Sequence, residues 1–243
     1  WTDPFEINVS NEFHFFTPSD SVQDVTLFAK YTLRADEMFL NRMIGGTFEG
    51  SNDPDFREKE VLYLINEKPK RLQTVVQSYS SKSYRYVRYI GPKDSHCNIA
   101  EAAFYTPNDT ASLKGKVIGT PGCFQKDGSH EYTNVFDGDV TTSFDYIEPS
   151  GGWSGLDLGT PKQIGRIVYT PRSYDNYIRS GDDYELFYCA RRNNWKSLGD
   201  QRSKADSLIY IKIPVNALLL LCNNTRGIQE RIFVYTAAEQ IWK

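Results

Sequence analysis

Short segments in which apolar and polar residues alternate, or in which apolar and aromatic residues cluster, recur along the chain with turn residues between them. In the first part they read "EFHFFT", "DVTLFAKYTL", "RMIGGTFEG", "EVLYLI", "LQTVVQSY", "YRYVRYIG" and "NIAEAAFYT". In the second they read "KVIGT", "GLDLG", "IGRIVYTP", "DYELFYCA", "SLIYIKIP", "ALLLLCNN" and "RIFVYTA". Within Tyr86–Ile90 the alternation sets Tyr86, Arg88 and Ile90 on one face and Val87 and Tyr89 on the other. Only residues 37–43 hint at a helical turn. Many short strands joined by polar turns predict an all-β chain built of sandwiches.

Residues 106–115, "TPNDTASLKG", collect turn formers with hardly an apolar side chain, which predicts a connection between domains. The expected division is therefore 1–107 and 108–243. The two parts echo each other. "GGTFEGSND" parallels "GDDYELFYC", and "YRYVRY" followed by "NIAEAAFY" parallels "ALLLLC" followed by "IQERIFVY", at an offset of about 130 residues. This predicts tandem copies, the first shorter and without a counterpart of "FDGDVTTSF".

Composition agrees with sheet: 16 Tyr and 14 Phe stand against 2 Met. A formal net charge of −3 supplies no general field to gather phosphate backbones, so no nucleic-acid partner is expected. Cys97, Cys123, Cys189 and Cys222 form no CxxC pair and read as four separate buried thiols, with a disulfide as the other reading. The longest apolar stretch, "NALLLLCNN", is far short of the roughly 20 residues a membrane helix needs. No charged-then-apolar leader precedes Trp1, so a signal peptide is expected to be absent or already removed, and the chain reads as a fragment of something longer.

The stretch "NVFDGDVTTSF" places Asp137 and Asp139 one glycine apart. A glycosidase acid/base pair flanks its bond at roughly 5 to 10 Å from separate strands, which an Asp-Gly-Asp turn cannot offer. Two readings stay open: a hard-cation loop using Asp137, Asp139, Thr142 and carbonyls, or an Asx-type turn without metal. His14, His96 and His130 stand in no recognisable nucleophile context. His96 beside Cys97 makes a Cys-His pair only if "DSHCN" is a loop. "GGTFEG" and "SGGWSG" fit no phosphate-loop pattern. In "TPRSYDNYIRSGDDY", Arg172, Tyr174, Asp175, Asn176, Tyr177 and Arg179 sit between two strands. Flat aromatics to stack on a pyranose, with Arg, Asn and Asp to contact neighbouring hydroxyls, form the chemistry of sugar recognition. An ordinary solvated loop with a strand-anchoring arginine is the other reading. Arg85 and Arg88 in "YRYVRY" suit cross-strand pairing better than a nucleic-acid patch.

Five of these segments in order, "FEGSNDPDF", "YRYVRY" with "NIAEAAFY", "VFDGDVTTSF", "GGWSGLDLGTPKQIGRIVYTPR" and "DDYELFY", resemble the discoidin-type family, or coagulation-factor C-type domains. That family includes family 32 carbohydrate-binding modules. The resemblance implies two galactose-binding-like jelly-roll sandwiches with a ligand site at one loop end, bordered by "PRSYDN". It also implies a structural calcium at the Asp137–Thr142 loop, completed by Glu239 or, less favoured, Glu230, and places Trp153 on a scaffold strand, where it reads as a core residue rather than a sugar platform. The ending, from "WKSLGDQ" onward, resembles the C-terminal part of large secreted or surface proteins of glycan-degrading gut bacteria, where such sandwiches follow a transglutaminase-like or hydrolase-like portion. The expected function is thus a non-catalytic carbohydrate-binding or surface-adhesion module, secreted, periplasmic or on the outer cell surface. Its expected partners are a glycan or glycoconjugate and a catalytic portion on the same polypeptide. The alternative is a pair of structural spacers.

Overall fold

The computed structural model describes residues 3–30, 34–191 and 194–243, with the backbone alone over 34–37. In chain order the strands are β1 (Phe5–Ile7), β2 (Phe13–Phe15), β3 (Val22–Leu27), β4 (Thr47–Ser51), β5 (Lys59–Leu64), β6 (Thr74–Gln77), β7 (Ser83–Ile90), β8 (Glu101–Tyr105) and β9 (Lys116–Gly119). They continue with β10 (Trp153–Gln163), β11 (Arg166–Thr170), β12 (Asp183–Cys189), β13 (Trp195–Arg202), β14 (Leu208–Pro214), β15 (Leu219–Asn223), β16 (Ile228–Gln229), β17 (Phe233–Thr236) and β18 (Glu239–Trp242). A single α-helix, α1 (Arg34–Arg42), and a 3-10 turn, Tyr132–Phe136, complete the described elements.

The chain is all-β, as its patterning predicts, and each segment named above contains a strand. The part of "DVTLFAKYTL" at 31–33 lies outside the described residues. The strands that patterning misses are β1, β13, β16 and β18. β13 ends its sheet, has one strand neighbour, and reads "WKSLGDQR" with no residue fully buried. An edge strand with one wet face has little reason to alternate.

The chain folds into two compact units, Trp1–Thr32 with Asn176–Lys243, and Leu33–Asp175. We call them the terminal and the central unit. The expected division at 107/108 therefore falls inside the central unit, because strands from both sides of it share sheets. β10 lies between β7 and β9, and β11 lies between β6 and β8. The polar segment 106–115 connects two sheets of one sandwich.

In the central unit a five-stranded sheet, β5-β4-β7-β10-β9, and a three-stranded sheet, β6-β11-β8, enclose one core. Phe48, Val87, Tyr89 and Leu156 come from the first sheet, and Ala102, Phe104, Ile167 and Tyr169 from the second. Burying such side chains contributes about 1.5–3 kcal/mol each before entropy is subtracted. The alternation over 86–90 holds: Val87 and Tyr89 point into the core, and Arg88 points out.

On that outer face Glu49, Arg88 and Gly155 stand opposite one another in β4, β7 and β10. Arg88 donates to Glu49 Oε2 at 2.8 Å and 2.7 Å, and its guanidinium lies 4.0 Å from the Phe56 ring and 5.2 Å from Trp153. Gly155 permits this, since a Cβ there would stand 2.2 Å from the Val87 carbonyl and 2.7 Å from Arg88 Cβ. Arg85 grips Asp157 across the same strands through two bonds, of 2.8 Å and 2.9 Å. The cross-strand pairing expected of both arginines is thus realised. Trp153 opens β10 but is not the core residue expected: it stands half-buried on the outer face, against Phe56 and Arg88, because its place in the strand points it away from the core.

In the terminal unit the path β13-β12-β15-β17-β18, with β16 beside β15, faces the pair β14-β3. Tyr184, Leu186, Leu219, Leu221 and Phe233 meet Val25, Leu27, Leu208, Tyr210 and Ile213. The sequence echo has a structural counterpart here: β5-β4-β7 in one unit and β13-β12-β15 in the other have the same order.

Candidate functional site

One end of the central sandwich is tied together through Asp145. Its backbone N–H donates to the His130 carbonyl at 3.1 Å, and its carbonyl accepts from Phe124 N–H at 2.8 Å. Its carboxylate accepts from Asn98 Nδ2 at 2.6 Å and from Arg172 Nη1 at 2.5 Å. Asn98 Oδ1 in turn accepts from Arg42 Nη1 at 3.0 Å, at the end of α1. Four loops and one helix end are thereby fixed by a mostly buried polar chain, the kind of network that rigidifies when satisfied.

Arg172 anchors its loop, as the second reading of that segment expects of the arginine. It is 8% exposed, its charge is committed to Asp145, and its guanidinium lies 4.4 Å from the Phe39 ring. A buried pair of this kind holds a loop and leaves little of the cation for a ligand. Tyr174, 49% exposed, rests against Phe39 with ring centroids 5.6 Å apart. Asp175 adopts a left-handed conformation, φ 62°, and its N–H donates to Ser173 Oγ at 3.3 Å. Asn176 and Tyr177 belong to the terminal unit and are buried. Asn176 accepts from Lys30 N–H through its carbonyl at 2.6 Å, and Tyr177 bridges to Ala29. Of the expected ligand contacts Arg172, Tyr174, Asp175, Asn176 and Tyr177, Tyr174 alone is exposed.

Residues that patterning did not single out stand here too. Phe124 is 57% exposed, with the His96 ring edge-on at 5.2 Å. "DSHCN" is indeed a loop, with His96 and Cys97 both left-handed at φ 55° and 52°. Such conformations cost about 1–3 kcal/mol each and concentrate at functional sites. His96 Nδ1 lies 3.0 Å from the Tyr146 carbonyl, which can only accept, so Nδ1 carries the hydrogen and Nε2 is the ring's acceptor. Cys97 is buried, and burial pushes its thiol up to about 12, so it supplies no thiolate for a Cys-His pair. Among the described residues all four cysteines are free, three buried and Cys222 half-buried. The signal for Phe124 was a lone aromatic in the turn-rich "TPGCFQKDGS", without the alternation of a strand.

His130 Nδ1 lies 3.2 Å from both the carbonyl and the hydroxyl of Ser143. The carbonyl again fixes the hydrogen on Nδ1, so this nitrogen cannot take the serine's proton.

The Asp137–Thr142 loop follows the 3-10 turn and reverses at Gly138, φ 85°, where a side chain is strained. Asp137 Oδ1 accepts from Asp139 N–H at 2.8 Å, and Oδ2 accepts from the Thr142 hydroxyl at 2.8 Å. Asp139 Oδ1 accepts from Thr141 N–H at 2.9 Å and from its hydroxyl at 2.6 Å. The loop is thus a pair of Asx turns. The acid set against it is Glu101 of β8, whose Oε1 accepts from Gly138 N–H at 2.9 Å. The expected partner, Glu239, lies instead in the terminal unit, exposed on β18 opposite Thr236, and Glu230 lies in that unit as well. Burial first, then the Asp137 carboxyl, push Glu101 up to about 8 against the pull of the Gly138 and Asp139 N–H groups. Two carboxyls this close are relieved either by a shared proton or by a hard cation. No group of three or more His, Cys, Asp or Glu side chains is gathered for a metal among the described residues. No described helix is long and apolar enough to cross a membrane.

Comparison with known proteins yields no match to a family model, to a curated protein or to a solved structure.

Proposed function

We propose that the chain is a non-catalytic binding module that takes a glycan or glycoconjugate at the Asp145 end of the central unit, outside the cell or at its surface. The observation that carries this reading is the pair of exposed rings, Phe124 and Tyr174, on loops held by Asp145 through main chain and side chain. A fixed flat ring stacks on the apolar face of a pyranose, and His96 Nε2 accepts from a hydroxyl beside it. The discoidin-type resemblance of the sequence supports the same end of the sandwich. Under this reading Arg172 is a brace and the aromatic pair is the contact surface. A calcium ion belongs to the reading as a structural element, and Glu101 and Asp137, with the Thr142 hydroxyl and loop carbonyls, are the groups that would hold it. It would supply positive charge between two carboxyls and would stiffen the loop.

A glycan-array screen followed by calorimetry on the best ligand tests the proposal. Phe124→Ala and Tyr174→Ala are each expected to weaken binding by about 1 kcal/mol or more, from the apolar ring face that a sugar would cover, with an unchanged circular dichroism spectrum. Unaltered binding in both variants places the contact elsewhere. Absence of any glycan ligand favours the spacer reading.

A further inference from the structure

The other end of the central sandwich holds a second recess. β8 runs from Glu101, at the loop end, to Tyr105, roughly 14 Å further along the strand. There the turn Thr106–Asp109, the end of β6 at Gln77, and Gly165 with Arg166 at the start of β11 line a cleft of about 370 Å3. That volume lies at the lower end of the range for small-molecule sites.

Arg166 is the feature that asks for a ligand. It is half-buried, with its guanidinium carbon 3.9 Å from the Tyr105 ring centroid and Nη2 donating to the Asp109 carbonyl at 3.2 Å. Stacking and one hydrogen bond hold the fork in place, so little rotamer entropy is left to lose. Among the described residues no carboxylate pairs with it. The nearest candidate, Asp109, spends its carboxylate on its own turn: Oδ1 accepts from Ala111 N–H at 3.0 Å, and Oδ2 accepts from the Thr106 hydroxyl at 3.4 Å. A guanidinium has five N–H donors, and four of these remain. Around it stand the exposed amides of Gln77 and Asn108, each able to donate to and accept from a hydroxyl. No second cationic side chain lines the cleft, which suits the single charge of a carboxylate better than the double charge of a phosphate.

We propose that this cleft is a second binding site, for a small hydroxylated acid of the uronic-acid class. Its carboxylate pairs with Arg166, and its hydroxyls meet Gln77 and Asn108. The site stands on geometry separate from the Asp145 end. A module with both sites would hold two residues of an acidic polysaccharide, or two chains, at opposite ends of one sandwich, and gain avidity from the pair.

The test is a nitrogen-edited NMR titration of the whole chain with methyl glucuronide, with methyl glucoside as the neutral arm and inorganic phosphate as the third. The glucuronide is expected to shift the Gln77 and Asn108 side-chain amides and Arg166 Nε, saturating in the millimolar range. The glucoside is expected to bind these positions at least about tenfold more weakly, a difference of about 1.4 kcal/mol. Arg166→Gln is expected to cost about tenfold in affinity. Asn108→Asp, an exposed change that adds a repelling charge without touching the packing, is expected to cost about threefold. Shifts confined to the neighbourhood of Phe124 would report the first site alone and overturn the second. The proposal is equally overturned by equal response to the glucoside, by preference for phosphate, or by glucuronide shifts that persist in both variants.

Discussion

The two units share a three-strand order and differ in where the next strand goes. After β7 the chain leaves the five-stranded sheet, and β8 joins the opposite sheet beside β11. After β15, by contrast, β17 stays in the same sheet, next to β15 itself. The crossing in the central unit carries Glu101 to the Asp137 loop and places Asn98 against Asp145. The terminal unit has no such crossing at the equivalent place among its described strands, and its buried polar grouping centres on Asp182, which accepts from Asn223 at 2.8 Å and from Arg226 at 2.8 Å and feels the charge of the buried Lys30. Similar local patterning thus yields two units whose buried carboxylates, Asp145 in one and Asp182 in the other, gather different loops, and in the central unit alone does the strand crossing bring Glu101 to a turn.

Four changes break or sharpen that contrast. The largest effect is expected from Asp145→Ala, which strands the buried Arg172 and removes the acceptor of Asn98. Breaking a buried pair from one side costs about 3–5 kcal/mol. Hydrogen exchange should show lost protection in 34–175 with 194–243 unchanged. Loss in both would mean that the units unfold as one. The counterpart, Leu221→Ala, opens a cavity in a fully buried part of the terminal core and should cost about 2–5 kcal/mol. Its protection loss is expected in 3–30 and 176–243.

Next is a pH effect confined to the central unit. Burial pushes folded Glu101 up to about 8 from its usual 4.5, so between those values the folded state holds the extra proton. Stability from this group is full below about 4.5 and is lost as pH rises through about 8. With chelator present, denaturant midpoints should fall from pH 5 to pH 8, and Glu101→Gln should flatten the trend. A midpoint at pH 8 restored by calcium in the wild type but not in Glu101→Gln would support the calcium reading. The smallest effect is expected from Arg202→Ala in the terminal unit. Its ion pair with Asp183, at 3.3 Å, is well exposed, so the change should stay within about 1 kcal/mol by denaturant titration.

Sequence alone determined much of the fold, because period-two alternation is a local property that burial of one sheet face imposes residue by residue. It placed β7 with Val87 and Tyr89 opposite Arg88, assigned Arg85 and Arg88 to cross-strand pairing, and located the turn at Gly138. Part of the candidate site was legible in the same way. Tyr174 was marked as a ring on a loop, and Asp137 with Asp139 as a glycine turn.

Tertiary structure decided which strands became neighbours. No local signal in "TPNDTASLKG" distinguishes a linker between domains from a crossing within one, since both are exposed and polar. That choice settled three things at once. β10 and β11 completed a sandwich begun by β4–β8, Glu101 rather than Glu239 met the Asp137 loop, and Arg172 was drawn inward by Asp145. A charged side chain on a loop looks the same in sequence whether it faces water or a carboxylate 27 residues away along the chain. Only the fold, by bringing that carboxylate within hydrogen-bond range and excluding water, makes one a contact residue and the other a brace.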